Sequence, residues 1–256
     1  MPHLMMDHPK HELFYQRIAG KEDQPCLVFL HEGLGCAGMW KDCPELLCQA
    51  TGCPGLVYDR LGYGGSSALI NRRTVHYLHD YALLELPEVI GRLIPETPYI
   101  LVGHSDGGSI SLIYGAQPRP LLKGIISEAA HVFVDDETIA GIEETTEAWD
   151  AGRLNGLAKY HGDKTESIFQ AWSRTWLSAW FRSWDIQYVL PGVEVPVLVI
   201  QGQADKYGTE AQVDAIVSQC GGDARSEMIP DCGHAPHHEA RERVLELMSE
   251  FVGRVD

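Results

Sequence analysis

Apolar and polar positions follow two rhythms along the chain. Short apolar runs recur at Phe14–Ile18, Cys26–Leu30, Gly55–Tyr58, Tyr99–Val102, Gly124–Ile126, Val197–Ile200 and Ser226–Ile229. The runs Cys26-Leu-Val-Phe-Leu30 and Val195-Pro-Val-Leu-Val-Ile200 are continuous rather than alternating, which is how strands read when helices cover both faces. Segments of helical period lie between them, over 37–50, 75–93, 106–116, 208–219 and 238–252. Strands alternating with helices predict βαβ units and a mostly parallel central sheet, an α/β architecture.

The alternation breaks over 131–190, which is strand-poor and holds five of the six tryptophans, Trp149, Trp172, Trp176, Trp180 and Trp184. The last four recur every four residues. Such a stripe reads either as the buried face of a packed helix or as the aromatic lining of a pocket under a helical lid. Different tryptophans are expected to serve each purpose. The expected organisation is a core made of 1–130 and 191–256, with 131–190 inserted as a small helical cap.

Composition narrows the function classes. A chain of 256 residues with 45% hydrophobic and 22% charged positions buries a core without staples and is not disordered. The net charge of −16, with no basic cluster denser than Arg72–Arg73, argues against nucleic acid and against an anionic membrane surface. No apolar run reaches membrane-spanning length, and the first residues lack the basic and apolar regions of a secretion signal, so a cytoplasmic protein is expected. The seven cysteines lack CxxC spacing and read as thiols of a reducing compartment rather than zinc ligands. No cofactor is expected. The expected partner is a small-molecule substrate, and self-association stays open because no self-complementary patch stands out.

The sharpest chemical feature is Tyr99-Ile-Leu-Val-Gly-His-Ser-Asp-Gly-Gly108, a G-x-S-x-G between an apolar strand and a helix. Glycines two positions either side let strand and helix approach closely, and the Ser105 hydroxyl projects at the helix N-terminus. There the amide of Asp106 is free to donate to an oxyanion. A serine nucleophile needs a base, and the base an orienting acid. Asp205 follows the strand ending at Ile200, and His234 lies in the loop after Ile229. Glu128, at the end of Gly124-Ile-Ile-Ser-Glu128, is a competing acid, and His131 just beyond it reaches toward the pocket mouth. His234, His237 and His238 suggest a metal cluster at face value, but a helix starting near Pro236 would point them apart, so no metal is expected. The second oxyanion donor is expected in the loop Leu30-His-Glu-Gly-Leu-Gly35, from Gly33 or else Leu34.

Together His31-Glu-Gly-Leu-Gly35, Asp59-Arg-Leu-Gly-Tyr-Gly64, Gly103-His-Ser-Asp-Gly107, Gly202-Gln-Ala-Asp205 and Asp231-Cys-Gly-His234 resemble the α/β-hydrolase superfamily, in order and over nearly the whole chain. The likeness is greatest to bacterial single-domain hydrolases with a helical cap, a group of carboxylesterases, lactonases and ring-cleavage-product hydrolases. The resemblance implies Ser105 as nucleophile, Asp205 as acid and His234 as base. Two positions depart from the pattern. The usual His-Gly is His31-Glu32, which puts a carboxylate beside the site or buries it in a structural hydrogen bond. Asp106 follows the nucleophile and leaves the polarity of the acyl pocket open. The expected substrate is a small, mainly apolar carboxylic ester, lactone or thioester, with Glu32, His104, Glu128, His131, Trp172 and Trp176 around the pocket. Carbon–carbon bond hydrolysis of a ring-cleavage product is the first alternative. It calls for a cation to hold a substrate carboxylate, and Arg60, Arg174 and Arg182 are the prospects. A non-catalytic ligand receptor and a haloperoxidase or lyase on the same scaffold complete the alternatives.

Overall fold

A computed structural model describes residues 2–7 and 9–255. The strands are β1 (His3–Asp7), β2 (Lys10–Ile18), β3 (Cys26–Leu30), β4 (Gly55–Tyr58), β5 (Tyr99–His104), β6 (Leu122–Glu128), β7 (Val197–Gly202) and β8 (Ala224–Ile229). They form one sheet in the order β1-β2-β4-β3-β5-β6-β7-β8, parallel from β4 to β8 with β1 and β2 antiparallel at one edge. The helices are α1 (Cys43–Thr51), α2 (Tyr77–Asp80), α3 (Leu86–Leu93), α4 (Asp106–Gly115), α5 (Asp136–Asp150), α6 (Ala158–His161), α7 (Thr165–Trp176), α8 (Glu210–Gln219), α9 (Pro236–Glu239) and α10 (Arg241–Val255).

Strand β3 shows why the apolar runs are continuous. Leu27 and Phe29 face a core shared with Leu47 of α1 and Leu247, Met248 and Phe251 of α10. Val28 and Leu30 face the opposite core, with Leu86, Val89 and Ile90 of α3 and Ile110 and Leu112 of α4. Both faces are dry, so neither parity tolerates polar residues. Helix α4 runs under this second layer with all ten of its residues buried.

Three expectations need correction. β1 was not foreseen and β2 begins four residues before Phe14, because an edge hairpin with one dry face carries few apolar positions. The 75–93 segment is not one helix: α2 passes into a π turn over Tyr81–Glu85 before α3. The tryptophan stripe is not one helical face either. α7 ends at Trp176; Trp184 packs on Trp176 at 5.6 Å, whereas Trp180 is 48% exposed.

The π turn carries a buried acid. Glu85 accepts a hydrogen bond from the Leu61 amide at 2.9 Å, and its other oxygen accepts none of good geometry from the described residues. Burial pushes its carboxyl from an ordinary 4.5 up to about 8. The folded protein therefore holds this proton more tightly than the unfolded chain, and the stability due to it falls as pH rises from 4.5 to 8. Glu85→Gln is expected to gain about 3–5 kcal/mol on the wild type across that window. Parallel urea titrations at pH 5 and pH 8.5 would show it; an equal difference at both pH values would refute it.

No disulfide joins the cysteines. Six of the seven are buried and Cys220 is partly exposed. Between β6 and β7 the chain is helical, with a lone bridge, Phe133 to Asp185, as its strand-like contact among the described residues. No helix of the described residues is long and apolar enough to cross a membrane.

Candidate active site

Because β3 to β8 are parallel, the loops after β3, β5, β6, β7 and β8 leave the same sheet edge, where ligand sites of open α/β sheets lie. Ser105 sits between β5 and α4 with φ 53° and ψ −116°, a conformation strained for a residue with a side chain. The turn is tight enough to need glycine nearby: a Cβ on Gly107 would lie 1.9 Å from the Leu30 carbonyl oxygen.

Three of the expected residues meet here. His234 Nε2 lies 3.0 Å from Ser105 Oγ, and His234 Nδ1 lies 2.7 Å from Asp205 Oδ2. A carboxylate only accepts, so Nδ1 carries the proton and Nε2 presents its lone pair to the hydroxyl. Asp205 is held by further donors: Gln201 Nε2 at 2.6 Å on Oδ2 and the Tyr207 amide at 2.8 Å on Oδ1. Burial pushes the Asp205 carboxyl up, but the His234 hydrogen bond and charge outweigh it, with help from the Tyr207 amide, and leave it below its ordinary value. An ionised acid, an oriented imidazole and a hydroxyl in line are what activate a serine as nucleophile.

The competing acid is elsewhere. Glu128 is fully buried; it accepts from the His237 amide at 2.6 Å and from His237 Nδ1 at 2.8 Å, and makes no bond to His234. Burial raises its carboxyl, but His237 outweighs that and holds it below the ordinary value. His104 is likewise displaced from its expected place on the pocket wall. Its Nε2 donates to the His234 carbonyl at 2.7 Å, and its Nδ1 faces Glu32 Oε2 at 3.6 Å. Burial opposes charge on His104, but the Glu32 and Glu128 carboxylates prevail and lift it to about 9. Burial also raises the Glu32 carboxyl, and its bond to His104 reverses that to well below the ordinary range. Glu32 faces His104 as an ion pair and also lines the cavity. Among the described residues no three His, Cys, Asp or Glu side chains converge as metal ligands do.

The loop 31–35 is shaped from beneath. Arg60, fully buried, donates from Nη2 to the carbonyls of His31 at 3.0 Å and Glu32 at 2.7 Å. The Tyr63 hydroxyl donates to the Gly33 carbonyl at 3.0 Å. Neither the Gly33 nor the Leu34 amide has an acceptor among the described residues. Asp106 opens α4, so its amide has no intrahelical partner.

These groups border a cavity of about 100 Å³ lined by Glu32, Gly33, Leu34, Ser105, Asp106, His131, Thr138, Ile142, Trp172, Trp176, Tyr207 and His234. Thr138 and Ile142 come from α5, and Trp172 and Trp176 from α7. The ring of Tyr207 lies 4.7 Å from that of His234, and its place two residues past Asp205 is the one sequence signal for it. Tyr77 donates to Asp106 Oδ2 at 3.1 Å and accepts from Trp176 Nε1 at 2.9 Å; nothing in the sequence around it signals that role. Arg60, Arg174 and Arg182 do not line the cavity: Arg60 lies buried behind Asp106, Arg174 is exposed, and Arg182 faces Asp136 at 3.6 Å.

The sequence profile of the alpha/beta hydrolase family matches residues 27–247. Among characterised relatives, the 2-succinyl-6-hydroxy-2,4-cyclohexadiene-1-carboxylate synthase of Klebsiella pneumoniae is 27% identical over 163 residues, 60% of this chain and 55% of the relative. Its counterpart from Salmonella agona is 32% identical over 125 residues, 49% of this chain and 46% of the relative. The chain thus spans about half the length of the curated relatives it matches. A thermophilic esterase from Thermogutta terrifontis superposes with a TM-score of 0.75 at 20% identity, covering 100% of this chain and 99% of that one. The enol-lactonase of Burkholderia xenovorans superposes with a TM-score of 0.75 at 16% identity, over 98% and 100%. At such identities these structures speak for the fold, and with the profile match over most of the chain they place this protein in the alpha/beta hydrolase family.

Proposed function

We propose that the protein is a serine hydrolase that cleaves a small, mainly apolar carboxylic ester, lactone or thioester through an acyl-enzyme. The observation that carries this reading is the hydrogen-bonded chain Ser105–His234–Asp205 at the wall of a small cavity with two tryptophans. In the proposed mechanism His234 takes the Ser105 proton as Oγ attacks the carbonyl carbon. The amides of Asp106 and Gly33, with Leu34 beside them, hold the oxyanion, each donor worth about 3–4 kcal/mol. Asp205 stabilises the imidazolium, which then protonates the leaving group. Water, deprotonated by His234, releases the acid. Residues 131–190 act as the cap, with Trp172 and Trp176 excluding water from the acyl group.

A second reading is a lyase or carbon–carbon bond reaction at the same residues, favoured by the synthase name of the curated relatives. Their named product is a carboxylate, and among the described residues no Lys or Arg side chain lines this cavity, so the ester reading stands first.

Labelling with a fluorophosphonate followed by peptide mapping tests the proposal. The adduct is expected on Ser105 in the wild type and to form at least about 100-fold more slowly in His234→Ala, the scale of lost general-base catalysis. A folded wild type that takes no adduct would overturn the serine-hydrolase reading.

A further inference from the structure

The cavity beside Ser105 holds polar atoms that acyl transfer leaves idle. Asp106 Oδ2 takes the Tyr77 hydroxyl and lies 3.7 Å from Arg60 Nη1, but Oδ1 receives no hydrogen bond from the described residues. Trp172 Nε1, brought in by α7, likewise has no acceptor among them, although Trp172 is 92% buried by its 8% exposure and lines the cavity. The two atoms converge. A Cβ built on Gly33 would stand 2.6 Å from Trp172 Nε1 and 3.3 Å from Asp106 Oδ1. An unused donor and an unused acceptor therefore lie within about 6 Å of each other around Gly33, near enough for one small group to bridge them.

The chemistry of the surroundings limits what fits between them. The Asp106 carboxylate already faces the buried Arg60 guanidinium, so the pair does not call for another cation. An ammonium could not accept from the indole N–H, and a carboxylate would meet the Asp106 oxygen. A group that accepts from Trp172 and donates to Asp106, and is small and neutral, is a hydroxyl. A hydroxyl on the carbon next to a carbonyl lies beside the carbonyl oxygen, as this donor and acceptor lie around Gly33, whose amide is the proposed oxyanion donor.

We propose that Trp172 and Asp106 form a hydroxyl-reading pair, and that the acyl group this enzyme accepts is that of a 2-hydroxy acid, presented as an ester or lactone. This deepens the serine-hydrolase reading and rests on it. Both residues act on specificity: the Asp106 side chain and the Trp172 indole choose the acyl group, whereas the Asp106 amide serves the oxyanion.

The test compares methyl mandelate with methyl phenylacetate, and methyl lactate with methyl propionate, followed by pH-stat. Each rate is divided by that ester's own hydroxide-catalysed rate, which removes the activating effect of the hydroxyl. The wild type is expected to favour the hydroxy ester about 10- to 100-fold in kcat/KM, the scale of one or two hydrogen bonds of which one is to a charged group. Trp172→Phe, which keeps a ring and loses the N–H, and Asp106→Asn, which exchanges an acceptor for a donor, should each cut that preference about tenfold. A merely structural role would slow both esters alike and leave the ratio unchanged. A corrected wild-type ratio near one, or ratios unmoved in both variants, overturns the hydroxyl pair while the hydrolase reading stands. If no ester of either kind is cleaved but the phosphonate labels Ser105, the hydroxyl pair falls alone; if Ser105 also takes no label, both fall.

Discussion

Ser105→Ala is expected to lower kcat about 100,000- to 1,000,000-fold toward any ester the wild type cleaves. The loss is large because the three groups act as a unit: without Oγ, His234 has no proton to take and Asp205 orients an idle base. Binding and the oxyanion amides remain, so the residual rate should still exceed that in water. Folding should be intact, since among the described residues Ser105 Oγ bonds His234 alone and alanine keeps the same backbone. Ser105→Gly separates chemistry from strain. It should be equally inactive yet more stable by about 1 kcal/mol, because glycine adopts φ 53° without the cost a Cβ brings. Steady-state kinetics with thermal melts on both variants would check this. A Ser105→Ala enzyme within tenfold of wild type would remove the nucleophile from the mechanism.

Glu128→Leu is expected to destabilise the fold by about 3–5 kcal/mol and to weaken catalysis in the protein that remains folded. The carboxylate is fully buried and binds the His237 amide and ring at once, three residues past His234. Leucine would leave both donors unsatisfied in a dry interior. The same stretch is held a second time by His104 on the His234 carbonyl, so the loop should loosen rather than collapse. For a chain of this size the melting temperature should fall on the order of 10 °C. Glu128→Gln, which keeps one acceptor, should lose about half as much. A Glu128→Leu protein that melts with the wild type would show that the pair holds nothing.

Much of the fold is legible in the residues because doubly covered strands have no polar parity. β3 and β7 announce themselves as unbroken apolar runs. β1 does not, since Met6 is its one buried residue. The π turn escapes a reading by period because one extra residue per turn does not interrupt the apolar spacing of 75–93. At the site, Ser105, Asp205 and His234 could be read because each follows a strand in a parallel sheet, and such strand ends share an edge by construction. Choosing between Asp205 and Glu128 was beyond strand ends alone. Both leave neighbouring strands at that edge; Glu128 is instead taken by His237, a contact between residues 109 positions apart. The Asp106 carboxylate shows the same limit, because its partners arrive separately, Arg60 from the loop after β4 and Tyr77 from the start of α2, and no local pattern encodes their meeting.

The buried cysteines bear on how this protein can be watched. Only a thiolate reacts with a maleimide, and burial pushes the thiols of Cys26, Cys36 and Cys48 to about 12 and that of Cys232 to about 11. In the folded chain these sulfurs are protonated and covered, so a thiol reagent should reach them slowly. Alkylation of the six buried cysteines must wait for the layers around the sheet to part, so its rate counts openings of the molecule, with Cys220 removed by substitution. The interior thus carries its own clock, one that runs without any ligand in the cavity.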